Sequence, residues 1–551
     1  MKRFILPAVL LLSILLRVIA IDKIPIGFTP DEASFGYDAY SILHTGRDQW
    51  GNIFPVILKS FGDYKSPLYA YLTVPSVAIF GLNVFAVRLP NAITGALAVY
   101  AVYLLTKEIF RRVGVKEQER YAILAALLTS LSSWSIMMSR GAFEANLITF
   151  FVPLGMYLFL KEKYNLSALV FGLGLLTYHS AKIIIPIVTV GLIVIFWQEL
   201  RKKSCRSFVW PVTLFILFGV LLGYSQILGG AGRINERIIS QGALEDGAKA
   251  KIELIQKGAN PTIAKLLHNK YQVVAQRFIT NYLQYFSARF LFIRGPAETT
   301  YGMVPGIGVL YIFEGVLLLG LIPAIFNKKA RGLMFMLTAW LLIGPVPAAL
   351  ATGVGFSANR AEGMVPVLQI LEVFGAYGWS ILLSRLDRKA ISLVTFGLAL
   401  LIGFELQKTF KTYFIGSPVI AGSGMLSGNL EAASWLSQNS DGKKIIVSKK
   451  LSEPQIYIAF INKWNPRDYQ NATKNWKVET WVDQIPEYSL GKYIFKNIDL
   501  KSDIHLSNTL LVGKPEEFLS SQNPVKVIFL PDGRESIRIV DPSQKLYAST
   551  N

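Results

Sequence analysis

Cysteine is nearly absent from this 551-residue chain: Cys205 stands alone, which excludes an internal disulfide framework. Histidine is almost as scarce. His44, His179, His268 and His505 are scattered and lack the spacing of a zinc site. Charge is thin too, at 17% of residues, against about 25% in an average soluble domain. Apolar residues fill the space, at 52% of the chain with mean hydropathy +0.41. They come in blocks of about 17–25 residues, the length that crosses a bilayer as a helix. The fold class is therefore a polytopic α-helical membrane protein. Internal repeats and low-complexity tracts are also missing.

The net charge of +20 raises the question of nucleic acid. In a membrane protein, cytoplasmic loops collect Lys and Arg and anionic lipid attracts the rest. Membrane lipids are thus an expected partner, and nucleic acid is not.

Met1-Lys2-Arg3 places the N-terminus in the cytoplasm, with a first span over 4–21. A cleaved signal peptide ending near Ala20 is the rival for that segment. Residues 22–87 form a first external loop, in which 68–82 reads as an interfacial helix on the outer leaflet. Leaving 68–82 out, the spans are 88–110, 120–139, 145–160, 165–180, 182–198, 208–225, 305–326, 331–351, 363–383 and 390–407, about eleven with the first. The inner turns then carry Arg111-Arg112 with Lys116, Lys161-Glu162-Lys163, Arg201-Lys202-Lys203 with Arg206, Lys328-Lys329 with Arg331, and Arg385 with Arg388-Lys389. Counting 68–82 as a span would put every one of these basic turns outside, against the positive-inside rule.

Residues 1–407 thus form a transmembrane domain, with a long external loop over 226–304 that is helical over 262–286. Residues 408–551 turn polar and read as a small extracytoplasmic α/β domain. Strands are expected at 444–449, 455–461, 509–512, 525–530 and 537–540, a helix at 428–438, and a hairpin turn at Pro531-Asp532-Gly533. The chain is placed in the plasma membrane, multi-pass, with its C-terminal domain outside.

The chemistry concentrates in 28–71. Thr29-Pro30-Asp31-Glu32 sets two adjacent carboxylates just past the first span, followed by Phe35, Tyr37, Tyr40 and Trp50. Either this is a solvated loop, or an aromatic-lined carboxylate binds a sugar ring and accepts a hydroxyl proton as general base. Asp63-Tyr64-Lys65-Ser66-Pro67-Leu68-Tyr69 follows. Lys65 either snorkels at the head-group level or contacts a phosphate as a compact cation; Tyr64 and Tyr69 flank it as sugar or acceptor contacts. Arg88-Leu89-Pro90 opens the second span, with Pro in the first turn and Arg88 as an interfacial anchor. In Ser139-Arg140-Gly141-Ala142-Phe143-Glu144 the ionised pair at i,i+4 is either an ion pair on a helix or a second acidic site with a rim cation. His179 and Lys182 join the fifth and sixth spans; Lys182 is a candidate phosphate ligand and His179 a hydrogen-bonding neighbour. Arg289, Arg294, Tyr301 and Arg360 add cations and an aromatic hydroxyl to the same outer rim. Several cations beside an acidic loop suit an anionic lipid head next to a neutral acceptor.

Pro30-Asp31-Glu32, Lys65-Ser66-Pro67-Leu68-Tyr69, Arg88-Leu89-Pro90, and Ser139-Arg140 with Glu144 resemble, in order and spacing, the membrane glycosyltransferases of fold class C. The resemblance is to the dolichyl-phosphate-mannose-protein mannosyltransferase and aminoarabinose transferase-like group. It is best over 1–200, fair over 280–380 and absent from the tail. It implies a polyprenyl-phosphate sugar donor used on the outer face, Asp31 as base with Glu32 beside it, and Glu144 as second acidic site. It also implies Lys65 at the donor phosphate, with Lys182 and Arg360 as poorer candidates. Lys-Ser-Pro stands where Lys-Pro-Pro is common. The expected activity is an inverting glycosyltransferase acting on an external protein, lipid or glycan hydroxyl. No cofactor is required; the paired carboxylates leave a divalent metal open, though no full ligand set is present. Two alternatives stay open: a transporter or flippase of a lipid-linked saccharide, and a polysaccharide polymerase or ligase centred on 226–304 with Arg289 and Arg294.

Overall fold

The computed structural model describes residues 2–62, 64–230, 239–240, 242–326, 330–351, 357–384, 387–476 and 485–543. Met1, Asp63, Lys328, Lys329 and Arg385, named above, lie outside the described residues.

The first helix, α1 (Lys2–Val18), is followed by an irregular stretch and then α2 (Pro30–Thr45). Local chemistry sets both ends of α2. The Thr29 side chain accepts from the Glu32 backbone N–H while the Glu32 carboxylate accepts from the Thr29 N–H, and Pro30 takes the first turn. Gly46 closes it at φ +68, a left-handed cap that favours glycine. A two-stranded hairpin, β1 (Leu58–Lys59) with β2 (Tyr64–Lys65), leads into α3 (Leu68–Phe80). One face of α3, with Tyr69, Ala70, Thr73 and Val77, is buried against α2 and α4 (Val84–Val113).

Asn83 caps α4, so Arg88 and Pro90 lie inside the helix rather than at its start. This corrects the reading of Arg-Leu-Pro as a helix opening: the N-cap side chain sits upstream, where Asn83 accepts from the Ala86 N–H at 2.9 Å. The bundle continues through α5 (Gln118–Leu131), α6 (Ser133–Ser139), α7 (Ile148–Leu160), α8 (Tyr164–Leu175), α9 (Ala181–Ile195), α10 (Trp197–Leu200) and α11 (Arg206–Ser225). Helices Ala243–Gln256, Pro261–Leu267 and Lys270–Gln284 occupy the long loop, and Arg331–Ile343, Val365–Leu383 and Arg388–Lys411 return to the bundle. Among the described residues, 5 helices are long and apolar enough to cross a membrane, or up to 6 if α5 and α6, bent by 57°, count as one span. Further apolar helices of 10–17 residues, α1, α8 and α9 among them, fall short of that length.

The tail is a six-stranded mixed sheet in the order β4-β5-β3-β6-β8-β7. Its strands are β3 (Lys444–Ser448), β4 (Glu487–Leu490), β5 (Tyr493–Lys496), β6 (Thr509–Gly513), β7 (Pro524–Phe529) and β8 (Glu535–Val540). β3 runs parallel to β5 and β6, and the other neighbours are antiparallel. The expected strand at 455–461 is instead the helix Pro454–Ile461. A short continuous apolar run fits either element by pattern. Pro454 at the first helical position, and a surface on α2 to bury against, decide for helix.

That helix docks the tail on α2. Phe28, Phe35, Tyr37 and Tyr69 share one buried cluster with Ile445, Tyr457, Phe460 and Phe495. Tyr457 donates to the Phe28 carbonyl at 2.8 Å, Tyr37 to the Trp464 carbonyl at 3.0 Å, and Gln470 Nε2 to Ser41 Oγ at 3.0 Å. The Phe28 N–H donates to the Met425 carbonyl at 3.0 Å. Gly27, at φ +81, makes this approach: a Cβ there would lie 2.3 Å from the Met425 oxygen. Tyr457→Phe leaves the buried Phe28 carbonyl unpaired and is expected to cost about 1–3 kcal/mol. A lowered thermal midpoint of the purified protein, with unchanged secondary structure, is the measurement.

Candidate active site

The adjacent carboxylates do different things. Glu32 is fully buried and clamped by Arg88, which is fully buried as well. Arg88 Nε donates to Glu32 Oε1 at 2.8 Å and Nη2 to Oε2 at 3.2 Å. Its remaining N–H groups go to the carbonyls of Ile21 at 3.0 Å, Pro25 at 2.8 Å and Gly27 at 2.7 Å. Glu32 also accepts from the backbone N–H of Ala142 and of Thr29, each at 3.0 Å. The forked guanidinium suits this work because it holds a carboxylate and several carbonyls at fixed angles. Arg88 is thus a buried tie rather than an interfacial anchor, because the carboxylate and carbonyls it serves are all withdrawn from the rim.

Neighbouring residues on a helix point in different directions, so burying Glu32 turns Asp31 outward. The Asp31 side chain is 50% exposed and meets Lys65 Nζ at 3.0 Å. Lys65 itself is only 2% exposed, lies over the Phe35 ring at 4.5 Å, and is delivered by the β1–β2 hairpin. Behind it is a small cavity lined by Lys65, Ser66, His179, Lys182, Leu176 and Ser225, among others. The Ser66 hydroxyl is buried there with no partner among the described residues. The Leu68 N–H donates to the Leu176 carbonyl at 3.3 Å, which ties the hairpin exit to the end of α8. Lys65 is therefore brought to one pocket with His179 and Lys182, more than a hundred positions on, beside Asp31.

Tyr301 borders the same region. Its ring packs edge-on to Phe143 at 5.4 Å. Burial first, then Tyr178, Asp31 and Glu298, hold its hydroxyl well above the usual range, while Arg360 opposes them. Asp31, Glu298 and Arg360 thus each lie within electrostatic reach of Tyr301. Glu298 and Tyr178 were not singled out as site residues in the sequence. Glu298 is a lone acid in an irregular loop with no pattern around it, whereas Tyr178 directly precedes His179.

Tyr37, Tyr69 and Arg140 are engaged elsewhere. Tyr37 is buried at the joint with the tail. Tyr69 is buried, donates to the Val87 carbonyl at 2.8 Å and packs on Phe35. Arg140 caps the end of the first helix and the stretch after it, donating to the carbonyls of Leu16 at 2.6 Å, Ile19 at 2.7 Å and Ile24 at 3.0 Å. Its helix ends at Ser139, and Glu144 begins a separate 3-10 turn, Glu144–Leu147. Tyr64, partly buried in β2, precedes Lys65. No cluster of three or more His, Cys, Asp or Glu suited to a metal ion occurs among the described residues.

A second acidic pair lies deeper, Asp38 on α2 and Asp48 in the loop just after it. Asp38 is buried and accepts from the Gln49 N–H at 3.0 Å, Gln49 Nε2 at 3.2 Å and the Ser34 hydroxyl at 3.4 Å. Burial, then the charge of Asp48, push its carboxyl up from 3.8 to about 8, against the opposing pull of Gln49 and Lys65.

Two outcomes follow from this geometry. Glu32→Gln removes half of a buried ion pair, leaving Arg88 uncompensated, and is expected to cost about 3–5 kcal/mol; denaturant unfolding of purified protein measures it. A carboxyl that holds its proton more tightly when folded contributes stability below its unfolded value and loses it as pH rises through its folded value. For Asp38 the window runs from 3.8 to about 8. Thermal midpoints should fall across that window, and Asp38→Asn should flatten the fall relative to the parent protein.

Residues 64–224 match the family model described as dolichyl-phosphate-mannose-protein mannosyltransferase. That stretch holds Lys65, Arg140, Glu144, His179 and Lys182, while Asp31 and Glu32 precede it. An uncharacterized protein of Aquifex aeolicus (strain VF5) is 26% identical over 189 residues, 34% of this chain and 41% of its own length. The match therefore spans less than half of that relative. ArnT from Cupriavidus metallidurans bound to undecaprenyl phosphate superposes with a TM-score of 0.50 and 12% identity, over 98% of this chain and 99% of its own. In its apo state the values are 0.51 and 11%, over 97% of each chain. AglB from Archaeoglobus fulgidus, in complex with an inhibitory peptide and a dolichol-phosphate, gives 0.44 and 15%, over 83% of this chain and 63% of its own. In sequence over 64–224, and in fold over nearly its whole length, this chain resembles the class C membrane glycosyltransferases of the mannosyltransferase and ArnT-like group.

Proposed function

We propose that this chain is an inverting glycosyltransferase that moves a sugar from a polyprenyl-phosphate donor to an acceptor hydroxyl outside the cell membrane. The observation that carries the reading is Asp31, half exposed at the start of α2, held against Lys65 at the mouth of a pocket that His179 and Lys182 also line. Basic side chains thus gather beside a half-exposed carboxylate, which supplies positive charge for a donor phosphate next to a base for an incoming hydroxyl. ArnT, whose fold this chain shares, was crystallised with undecaprenyl phosphate, a ligand of the chemistry proposed for the donor.

In the reaction, the acceptor oxygen attacks the anomeric carbon from the face opposite the phosphate, which inverts that centre. Its proton passes to the Asp31 carboxylate as general base. The bond from the anomeric carbon to the phosphate oxygen breaks, and the electron pair leaves with the polyprenyl phosphate. Lys65 and Lys182 meet that growing negative charge, with His179 as a hydrogen-bonding neighbour. An ammonium has three donors, so Lys65 contacts Asp31 and the donor phosphate together. Tyr301, within electrostatic reach of both Asp31 and Arg360, borders the site. Protons and charge are handled by these side chains alone, so the step needs no metal or other cofactor. The outer placement of the site, an N-terminus inside and about eleven spans belong to the same proposal.

Asp31→Asn, in membranes supplied with labelled polyprenyl-phosphate sugar, is expected to lower transfer by about 10²–10⁴-fold at normal expression. Lys65→Met is expected to lower it by about 10²–10³-fold by removing charge from the leaving group. Undiminished transfer by Asp31→Asn would end its assignment as base.

A further inference from the structure

The bundle holds a second cavity, at the opposite end of α8 and α9 from the Lys65 pocket. α11 packs along α8, where Gly172 admits the Phe218 ring to within 2.0 Å of where a Cβ would stand. α9 turns Ala181, Ile184, Ile185 and Val188 toward the rest of the bundle instead. The two helices splay, and α8 floors the wedge between them. The wedge holds about 740 Å³, within the range of about 300–1,000 Å³ typical of ligand pockets. Its wall toward lipid is α11, of whose apolar window only 6% is buried in the protein.

The lining is sorted by chemistry. Phe159, Phe171, Ile193, Phe208, Phe215 and Ile216 line the shaft. Two of the hydroxyls in the lining are already engaged: Ser167 donates to the Gly155 carbonyl and Thr189 to the Ile185 carbonyl, each at 2.8 Å, while the Tyr164 ring packs on Phe159 and Phe208. The shaft therefore offers a ligand apolar contact. The mouth is different. Trp197, 58% exposed, stands there with Arg201 and Lys203. Lys202 and Arg206 belong to the same exposed turn, and Arg112 lies over the nearby Phe196 ring at 4.9 Å. Glu162 and Glu199 answer part of this charge, pairing with Lys203 and Arg112 respectively. An apolar shaft under a cationic, tryptophan-flanked rim fits an amphiphile with an anionic head. Basic pockets between membrane helices are where such head groups are held, and Trp at the rim marks the depth of the bilayer interface.

We infer that this wedge binds an anionic phospholipid, its acyl chain between α9 and α11 and its phosphate at Arg201 and Lys203. The site is separate from the transferase pocket and does not depend on that reading. Bound there, the lipid fills the space that the splayed helices leave and braces α11, whose packing otherwise rests on α8.

The test uses the full-length protein in neutral detergent, with phosphatidylglycerol, phosphatidylcholine and undecaprenyl phosphate added in turn. Native mass spectrometry counts retained lipid and a thermal shift reports its effect. Phosphatidylglycerol is expected to be retained and to raise the midpoint, and phosphatidylcholine is not. Arg201→Glu, an exposed change at the mouth, should weaken retention by about tenfold or more, and Ile193→Trp, which fills the shaft, should abolish it. Equal retention of phosphatidylcholine would overturn the head-group assignment, and unchanged retention by Ile193→Trp would overturn the site. Preferential retention of undecaprenyl phosphate, lost in Ile193→Trp, would give the wedge to the donor and overturn the proposal as well.

Discussion

The structure around the acidic loop depends on one buried ion pair. Glu32 and Arg88 are both withdrawn from water, and each charge is tolerable there only because the other is present. Arg88 also gathers the carbonyls of Ile21, Pro25 and Gly27, and Glu32 reaches the Ala142 N–H. The exit of the first helix, the start of α2, the interior of α4 and the turn after α6 are therefore located by one contact. Arg140 performs a similar task one layer away, closing the carbonyls of Leu16, Ile19 and Ile24. Two arginines thus fix where the chain leaves α1, and so how α2 is aimed.

That aim gives Asp31 its character. With Glu32 pinned inward, Asp31 is forced to the rim, where Lys65 meets it from a hairpin that leads straight into α3. The pocket behind Lys65 then needs the end of α8 and the start of α9, which bring His179 and Lys182. A charged pair at the rim is weak as a source of stability. Its value is positional: it holds a carboxylate and a cation side by side, which the proposed transfer needs for an acceptor hydroxyl and a donor phosphate.

Much of this was legible in the residues. Thr29-Pro30-Asp31-Glu32 announces a helix start by its capping chemistry. The apolar blocks announce helices, and the β-rich runs at 444–449, 509–512, 525–530 and 537–540 announce four of the six strands of the tail. What the string Asp31-Glu32 does not announce is which acid is buried, since that is decided by Arg88, more than fifty positions on. Likewise Arg140 and Tyr69 read as rim chemistry, because a cation or a phenol near an acidic loop looks the same whether it faces a ligand or caps a carbonyl. The run at 455–461 shows the same limit for secondary structure: its apolar residues are continuous, and only the partner surface on α2 makes it a helix.

The tail completes the argument about the site. Its helix Pro454–Ile461 rests on α2, and Tyr457 holds the carbonyl of Phe28, just ahead of the cap of the helix that carries Asp31. Burial holds the Tyr457 hydroxyl well above its usual range, and Glu453, Glu32 and Asp31 all add to that effect. Glu453, the residue just before that tail helix, therefore stands within electrostatic reach of the same hydroxyl as the acidic loop. Ser452 and Glu453 both take positive φ, at 57° and 46°, a conformation that side-chain-bearing residues adopt at a cost. The helix that follows this turn is the one that seats the tail on α2. Asp31 thus stands at the head of a helix on which the tail rests, and a change in the tail's seating is a change in the support of Asp31.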